Sequence, residues 1–179
     1  MKWDRILKQT GSGLAVTLPF LSSVQAGALQ VGQTAPPFQL PSQGGHEVSL
    51  ASRRGMGWTV LYFYPKAGTP GCTTQACAFR DAITLIRDQN AEVYGISTDG
   101  IDALAKFHRK YKLNFTRLSD PGAKVTEAYG VTMPVLKMAK RWTFILDPNL
   151  VVRHINDQVD PALDAKAVAD TLKRLQSGT

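Results

Sequence analysis

The residues best suited to chemistry stand together in one short stretch. Cys72 and Cys77 are the chain's two cysteines. Ahead of them runs Pro65-Lys66-Ala67-Gly68-Thr69-Pro70-Gly71, a Gly/Pro loop between an apolar run and a helical pattern. A cysteine that opens a helix faces unpaired backbone N–H groups and the positive end of the helix dipole. Both favour thiolate over thiol, and the thiolate is the nucleophile. Thr69, three residues earlier, can bring a hydroxyl beside the sulfur. Cys77 lies five residues beyond Cys72. On a regular helix that is a rise of about 7.5 Å and a turn of roughly 140° away from the same face. The Cα atoms are then about 8–9 Å apart, whereas a disulfide needs about 4.4–6.8 Å. The pair can bond only if the first turns of the helix unwind, a spacing that suits a reaction with a conformational step.

Other readings of the pair stand beside this one. The cysteines could form a structural disulfide in an exported, non-enzymatic binding domain, or be two buried free thiols. A metal pair finds no third and fourth ligand nearby, since His46, His108 and His154 are widely separated. No Cys-x-x-Cys is present, which argues against a thiol–disulfide exchanger of the thioredoxin kind.

The elements that must position these residues are legible in the pattern. Trp58 to Tyr64 is a continuous β-branched and aromatic run, which predicts a central strand buried on both faces. Cys72 to Arg87 has helical spacing, with Phe79, Ile83 and Ile86 on one side. Glu92 to Ser97 reads as a second buried strand, and Ile101 to Tyr111 as an amphipathic helix with Leu104 and Phe107 inward. A short strand is expected at Phe115 to Leu118 and a short helix at Ala123 to Tyr129. Trp142 to Leu146 and Val151 to Ile155 flank Asp147-Pro148-Asn149-Leu150, a hairpin turn. Pro161 to Leu175 predicts a closing helix. Ala35 to Leu40 and Glu47 to Leu50 predict an N-terminal hairpin around Gly44-Gly45. The alternation of strand and helix calls for an α/β fold with a central mixed sheet, compatible with a thioredoxin-like arrangement.

Composition bounds the rest. The 179 residues are 44% apolar and 20% charged, ordinary globular usage. Two cysteines cannot build a disulfide-dense scaffold or a four-cysteine metal site. The net charge of +7 is spread along the chain, with pairs such as Arg53-Arg54 and Lys140-Arg141 as its longest runs, so a nucleic-acid partner is not indicated. At the N-terminus, Lys2, Arg5 and Lys8 precede an uncharged stretch from Gly13 to Val24, which ends in Val24-Gln25-Ala26. That order is a secretory signal with cleavage expected after Ala26, and its apolar part is too short to span a bilayer. The expected organisation is a signal at residues 1–26, a linker at 27–34 and one domain at 35–179.

Pro65-x-x-x-Thr69-x-x-Cys72 resembles the active-site motif of the peroxiredoxins. The longer string from Tyr62 to Asp81 (YFYPKAGTPGCTTQACAFRD) resembles the subgroup called peroxiredoxin Q or bacterioferritin comigratory protein, which often has a second cysteine five positions after the first. Glu92 to Ser97, Leu118-Ser119-Asp120, Tyr129-Gly130-Val131 and Arg141 to Asp147 extend the similarity, which covers about Leu29 to Leu175.

The resemblance implies a thioredoxin-like fold and a thiol-dependent peroxidase acting on hydrogen peroxide and organic hydroperoxides. Cys72 is then the peroxidatic cysteine, Thr69 orients the peroxide, Pro65 shields the oxidised sulfur, and Arg141 stabilises the thiolate and the breaking O–O bond. Cys77 is the resolving cysteine, and a thioredoxin-like dithiol restores both thiols. No metal, haem or flavin is implied, and a monomer is. With the signal, the compartment expected is a periplasm or a thylakoid lumen. Thr132 to Lys140 is shorter than in many bacterial members. Met133, Val135, Leu136 and Met138 make it apolar, as a loop packed beside the active site or a lip for organic peroxides.

Overall fold

The structure, a computed structural model, describes residues 29–178. The expected signal at residues 1–26 lies outside the described residues. A small antiparallel hairpin pairs β1 (Gln39–Pro41) with β2 (Glu47–Ser49). A short 3-10 turn, Leu50–Arg53, follows it. Then come β3 (Trp58–Phe63), α1 (Pro70–Arg87), β4 (Ala91–Ser97), α2 (Ile101–Lys110), β5 (Thr116–Ser119), α3 (Lys124–Ala128), β6 (Trp142–Leu146), β7 (Val152–Asn156) and α4 (Asp164–Ser177). The five later strands make one sheet in the order β5-β4-β3-β6-β7. β3, β4 and β5 run parallel, joined through α1 and α2, while β6 and β7 are antiparallel additions. This is the mixed sheet with flanking helices and an N-terminal hairpin that the pattern predicts.

Period-two alternation along β3 builds both cores. Val60 and Tyr62, with Tyr64 beyond the strand end, face a layer made by Phe79, Ile83 and Ile86 of α1 and Val168 and Leu172 of α4. Leu61 and Phe63 face the opposite layer, closed by Leu40, Leu50, Val125 and Tyr129. A strand at the centre of the sheet is covered twice, so it contains no polar alternation.

Two boundaries move in ways that matter for the site. α1 begins at Pro70 rather than Cys72, because proline fits the first helical position, where its missing N–H costs nothing. α4 begins at Asp164 rather than Pro161, because Asp160 first holds a turn through the N–H groups of Ala162 and Leu163. Residues 29–34, the described part of the expected linker, also differ from a free linker. The Gly32 N–H donates to Val152 O (2.8 Å) and the Val152 N–H returns to Gln33 O (2.9 Å), which covers the start of β7.

One row across the sheet pairs Tyr62, Gly95 and Arg117 on adjacent strands. A Cβ at Gly95 would lie 2.6 Å from the Tyr62 ring, so the missing side chain is what lets that ring lie across β4. Arg117 is fully buried, its guanidinium held between the rings of Phe107 (4.9 Å) and Phe115 (4.8 Å).

Candidate active site

The loop after β3 is tied to the carboxyl end of the parallel strands. The Ala67 N–H donates to Asp99 Oδ2 (2.7 Å), and Ser97 Oγ donates to the same oxygen (2.8 Å). Thr69 is the N-cap of α1 by its backbone, since Thr73 N–H donates to Thr69 O (2.9 Å). Its hydroxyl makes no cap bond and donates instead to Lys66 O (3.0 Å). The hydroxyl proton is thereby committed, and the oxygen's lone pairs stay available to accept.

Cys72 falls in the first turn of α1, beyond Pro70 and Gly71, and is 1% exposed. The N–H groups of Gly71 and Cys72 precede the first intrahelical bond, so the positive end of the helix surrounds the thiol. Cys72 belongs to the same buried cluster as Tyr62, Tyr64 and Phe79. Tyr62 is pushed up to about 12 by burial, with Arg117 pulling the other way, so it is neutral.

Arg141, immediately before β6, completes the arrangement. Its Nη2 donates to Cys72 Sγ at 3.3 Å and its Nη1 to Gln75 Oε1 at 2.6 Å. A guanidinium is always charged and presents a rigid fork, so one residue can hold the sulfur and a neighbour together. Behind it lies a buried chain that the sequence reasoning missed. Gln75 Nε2 donates to Asp164 Oδ2 (2.8 Å), Thr143 Oγ1 donates to the same oxygen (2.7 Å), and Asn156 Nδ2 donates to Asp164 Oδ1 (3.4 Å). Burial pushes the Asp164 carboxyl above its ordinary range, against the opposing pull of the Thr143, Gln75 and Asn156 bonds and of Arg141. Gln75 was detectable as the i+3 neighbour of Cys72, on the same helix face. Nothing local marks Asp164.

Of the residues singled out from the sequence, Cys72 and Arg141 are thus in direct contact. Thr69 caps the same helix, and Pro65 follows Tyr64 at the loop's start. Cys77 is half-buried farther along α1, and both thiols are free on an intact helix. The 132–140 loop is a small hairpin, bridged between Thr132 and Ala139. Ala139 is buried, while Val135 (92% exposed) and Leu136 (60%) stand out at the tip. Among the described residues, no three His, Cys, Asp or Glu side chains gather as a metal site. No helix there is long and apolar enough to cross a membrane.

The AhpC/TSA family model matches residues 31–155, which takes in the sheet, the loop and both cysteines. A chloroplastic peroxiredoxin Q of Oryza sativa subsp. japonica is 44% identical over 156 residues, covering 86% of this chain and 70% of the relative. The chain belongs to the AhpC/TSA family, in its peroxiredoxin Q branch. A second relative of this kind, from Sedum lineare, is 46% identical over 148 residues, 82% of this chain and 77% of its own. Among solved structures, the peroxidoxin BcpB of Mycobacterium tuberculosis superposes with a TM-score of 0.77 at 33% identity, over 82% of this chain and 98% of that one. PrxQ of Xylella fastidiosa superposes with a TM-score of 0.78 at 26% identity, over 84% and 99%. The fold is therefore the thioredoxin-like fold of the peroxiredoxins, and the chain is a thiol peroxidase.

Proposed function

We propose that Cys72 is the peroxidatic residue of a two-cysteine cycle with Cys77 as its resolving partner. The observation that carries the reading is the 3.3 Å contact of Arg141 Nη2 with Cys72 Sγ at the opening of α1. Peroxide is small and neutral, so rate comes from fixed donors that match the transition state rather than from substrate binding. The thiolate attacks one peroxide oxygen. An S–O bond forms, the O–O bond breaks, and the departing oxygen leaves as water or an alcohol after taking a proton. Arg141 faces the negative charge that passes from sulfur to the leaving oxygen. Thr69 Oγ1 accepts the peroxide O–H, and Pro65 screens the sulfenic acid from water.

The second step needs α1 to open. Cys77 as thiolate attacks the sulfenic sulfur, an S–S bond forms, the S–O bond breaks, and the oxygen leaves as hydroxide, which takes a proton from solvent to become water. A dithiol of thioredoxin type then reduces the disulfide by exchange and is itself oxidised. The substrates are hydrogen peroxide and organic hydroperoxides, a range supported by a related Xanthomonas campestris bacterioferritin comigratory protein studied for its alkyl peroxide reduction. The chain works as a monomer. Residues 1–26 direct it across a membrane, to a periplasm or, in keeping with its chloroplastic relatives, a thylakoid lumen.

The decisive experiment is peroxide turnover by residues 27–179 with a dithiol reductant, wild type beside Cys72→Ser. The serine variant is expected to be inactive. Turnover that survives it would refute the reading. After one equivalent of peroxide, mass spectrometry should find a Cys72–Cys77 bond, and Cys77→Ser should instead accumulate higher oxidation states of Cys72.

A further inference from the structure

We propose that Asp164 is a positioning residue for the peroxidase reaction, acting through the amide of Gln75 to aim Arg141 at Cys72; this rests on the reading of Cys72 as the attacking thiol. The chemistry of the three partners allows one arrangement. Arg141 has donors and no acceptor, and an ionised carboxylate has acceptors and no donor. Gln75 sits between them with one of each. Its oxygen must face Arg141 and its nitrogen must face Asp164, as found at 2.6 and 2.8 Å. A carboxylate at 164 therefore fixes which end of the amide reaches the guanidinium. The reversed amide would present N–H to N–H and push Arg141 away from the sulfur.

Asp164 is built for this task by the fold around it. It is 1% exposed and Gln75 is fully buried. Thr143 donates to the same Oδ2 as Gln75 does, and Asn156 donates to Oδ1. The carboxylate is thus held from β6, β7 and α1 at once, while it belongs to α4. Its own place at the first residue of α4 follows from the Asp160 turn that delays the helix. A carboxylate that only stabilised the start of α4 would need the helix dipole and nothing from Gln75.

The test exploits a sign reversal. In the wild-type background Gln75→Glu sets a second carboxylate against Asp164, at the separation now spanned by a 2.8 Å bond. In the Asp164→Ala background the same change supplies an acceptor that holds Arg141 unaided. Peroxide kcat/KM is measured by single-turnover stopped flow on folded chains, checked by near-ultraviolet circular dichroism. Asp164→Ala should lower kcat/KM by roughly ten- to hundredfold, the range of one lost charge-assisted bond. Asp164→Asn, whose amide oxygen can take the place of Oδ2, should recover most of it. Gln75→Glu alone should be slower than wild type, yet Gln75→Glu with Asp164→Ala should be faster than Asp164→Ala alone. A double variant no faster than Asp164→Ala overturns the proposal. If the alanine variant does not fold, Asp164→Leu fills the volume without an acceptor, and Gln75→Glu must raise its rate in the same way. Cys72→Ser run in parallel separates the two claims. Activity surviving in that variant refutes the attacking thiol, while an inactive serine variant with no sign reversal refutes only the role of Asp164.

Discussion

Gly71→Ala should make the protein more stable and less reactive at once. Gly71 lies in the first turn of α1, and its backbone does not need positive φ. Replacing such a glycine by alanine stabilises by about 0.4–1 kcal/mol, because the unfolded chain has fewer states to lose. For a domain of this size that raises Tm by roughly 1–4 °C. The new Cβ, however, would meet Arg141 Nη2 at 3.2 Å, the same nitrogen that touches Cys72 Sγ at 3.3 Å. The helix backbone cannot retreat, so the guanidinium must shift by a few tenths of an ångström. Weakening one charge-assisted bond by about 1 kcal/mol corresponds to roughly a fivefold loss in rate. The assay pairs a thermal melt with single-turnover peroxide oxidation of Cys72, which reads attack separately from disulfide formation. A variant with raised Tm and an unchanged oxidation rate would show that Arg141 does not need its present seat.

Three further outcomes are expected. Gly95→Ala drives a methyl group into the Tyr62 ring at 2.6 Å. Phe79 stacks on that ring at 4.7 Å and leaves it no retreat, so overpacking should cost about 1–3 kcal/mol and lower Tm by roughly 3–10 °C. Tyr62→Val should restore part of the loss in a melt of the double variant. Asp147→Asn should cost about 1–2 kcal/mol at neutral pH. Burial raises the Asp147 carboxyl, but the Val151 N–H, Arg153 and the Asn149 N–H together bring it below its ordinary range. A depressed folded pKa gives stability above the unfolded value near 4 that is lost as pH falls through the folded value. Denaturant titrations should therefore show wild type and variant converging in acid, and a pH-independent gap would contradict this. Asp164 has the opposite sign, because its folded pKa is raised. Its contribution is most favourable below the unfolded pKa and is lost as pH rises through the folded one, so the stability of Asp164→Asn relative to wild type should increase from acid to neutral pH.

What could be read in advance follows the range of the interactions. β3 announced itself because Val60, Leu61, Tyr62 and Phe63 are all buried, and a doubly covered strand leaves a continuous apolar run. Cys72, Thr69 and Pro65 could be singled out because the loop and the first turn of α1 that carry them are local. Arg141 came from its neighbours Trp142 to Asp147, not from any sign that it would meet a sulfur. The Gln75–Asp164 bond joins residues 89 positions apart and has no periodicity to betray it. Arg117 is buried for a similar reason: a cation on a strand reads as a solvent face until Phe107 and Phe115 close around it. The described part of the expected linker, residues 29–34, read as one because its partners, Val151 and Val152, lie near the other end of the domain.

If the Gln75–Asp164 clamp aims Arg141 as proposed, it must also oppose the proposed step that follows. In the proposed cycle a Cys72–Cys77 bond requires residues 72–77 to leave the helix, and the start of α1 is poorly held. Thr69 gives no side-chain cap, and Thr74 Oγ1 bonds back to Pro70 O (3.1 Å), an arrangement that bends helices and slightly destabilises them. Against this stand buried Ala76 and the bridge from Asp164 through Gln75 to Arg141. Cutting that bridge should slow the first reaction and speed the second. In Asp164→Ala, peroxide attack on Cys72 falls, while the sulfenic acid, once formed, is captured sooner by Cys77. One buried charge-assisted bond of about 1.5–3 kcal/mol sets an upper limit of roughly ten- to hundredfold on the acceleration. Rapid-quench mass spectrometry with a sulfenic-acid trap measures both rates on one sample. A sulfenic acid that lives as long in the variant as in the wild type would mean that α1 opens without releasing Gln75, and that resolution follows some path other than unwinding from the amino end.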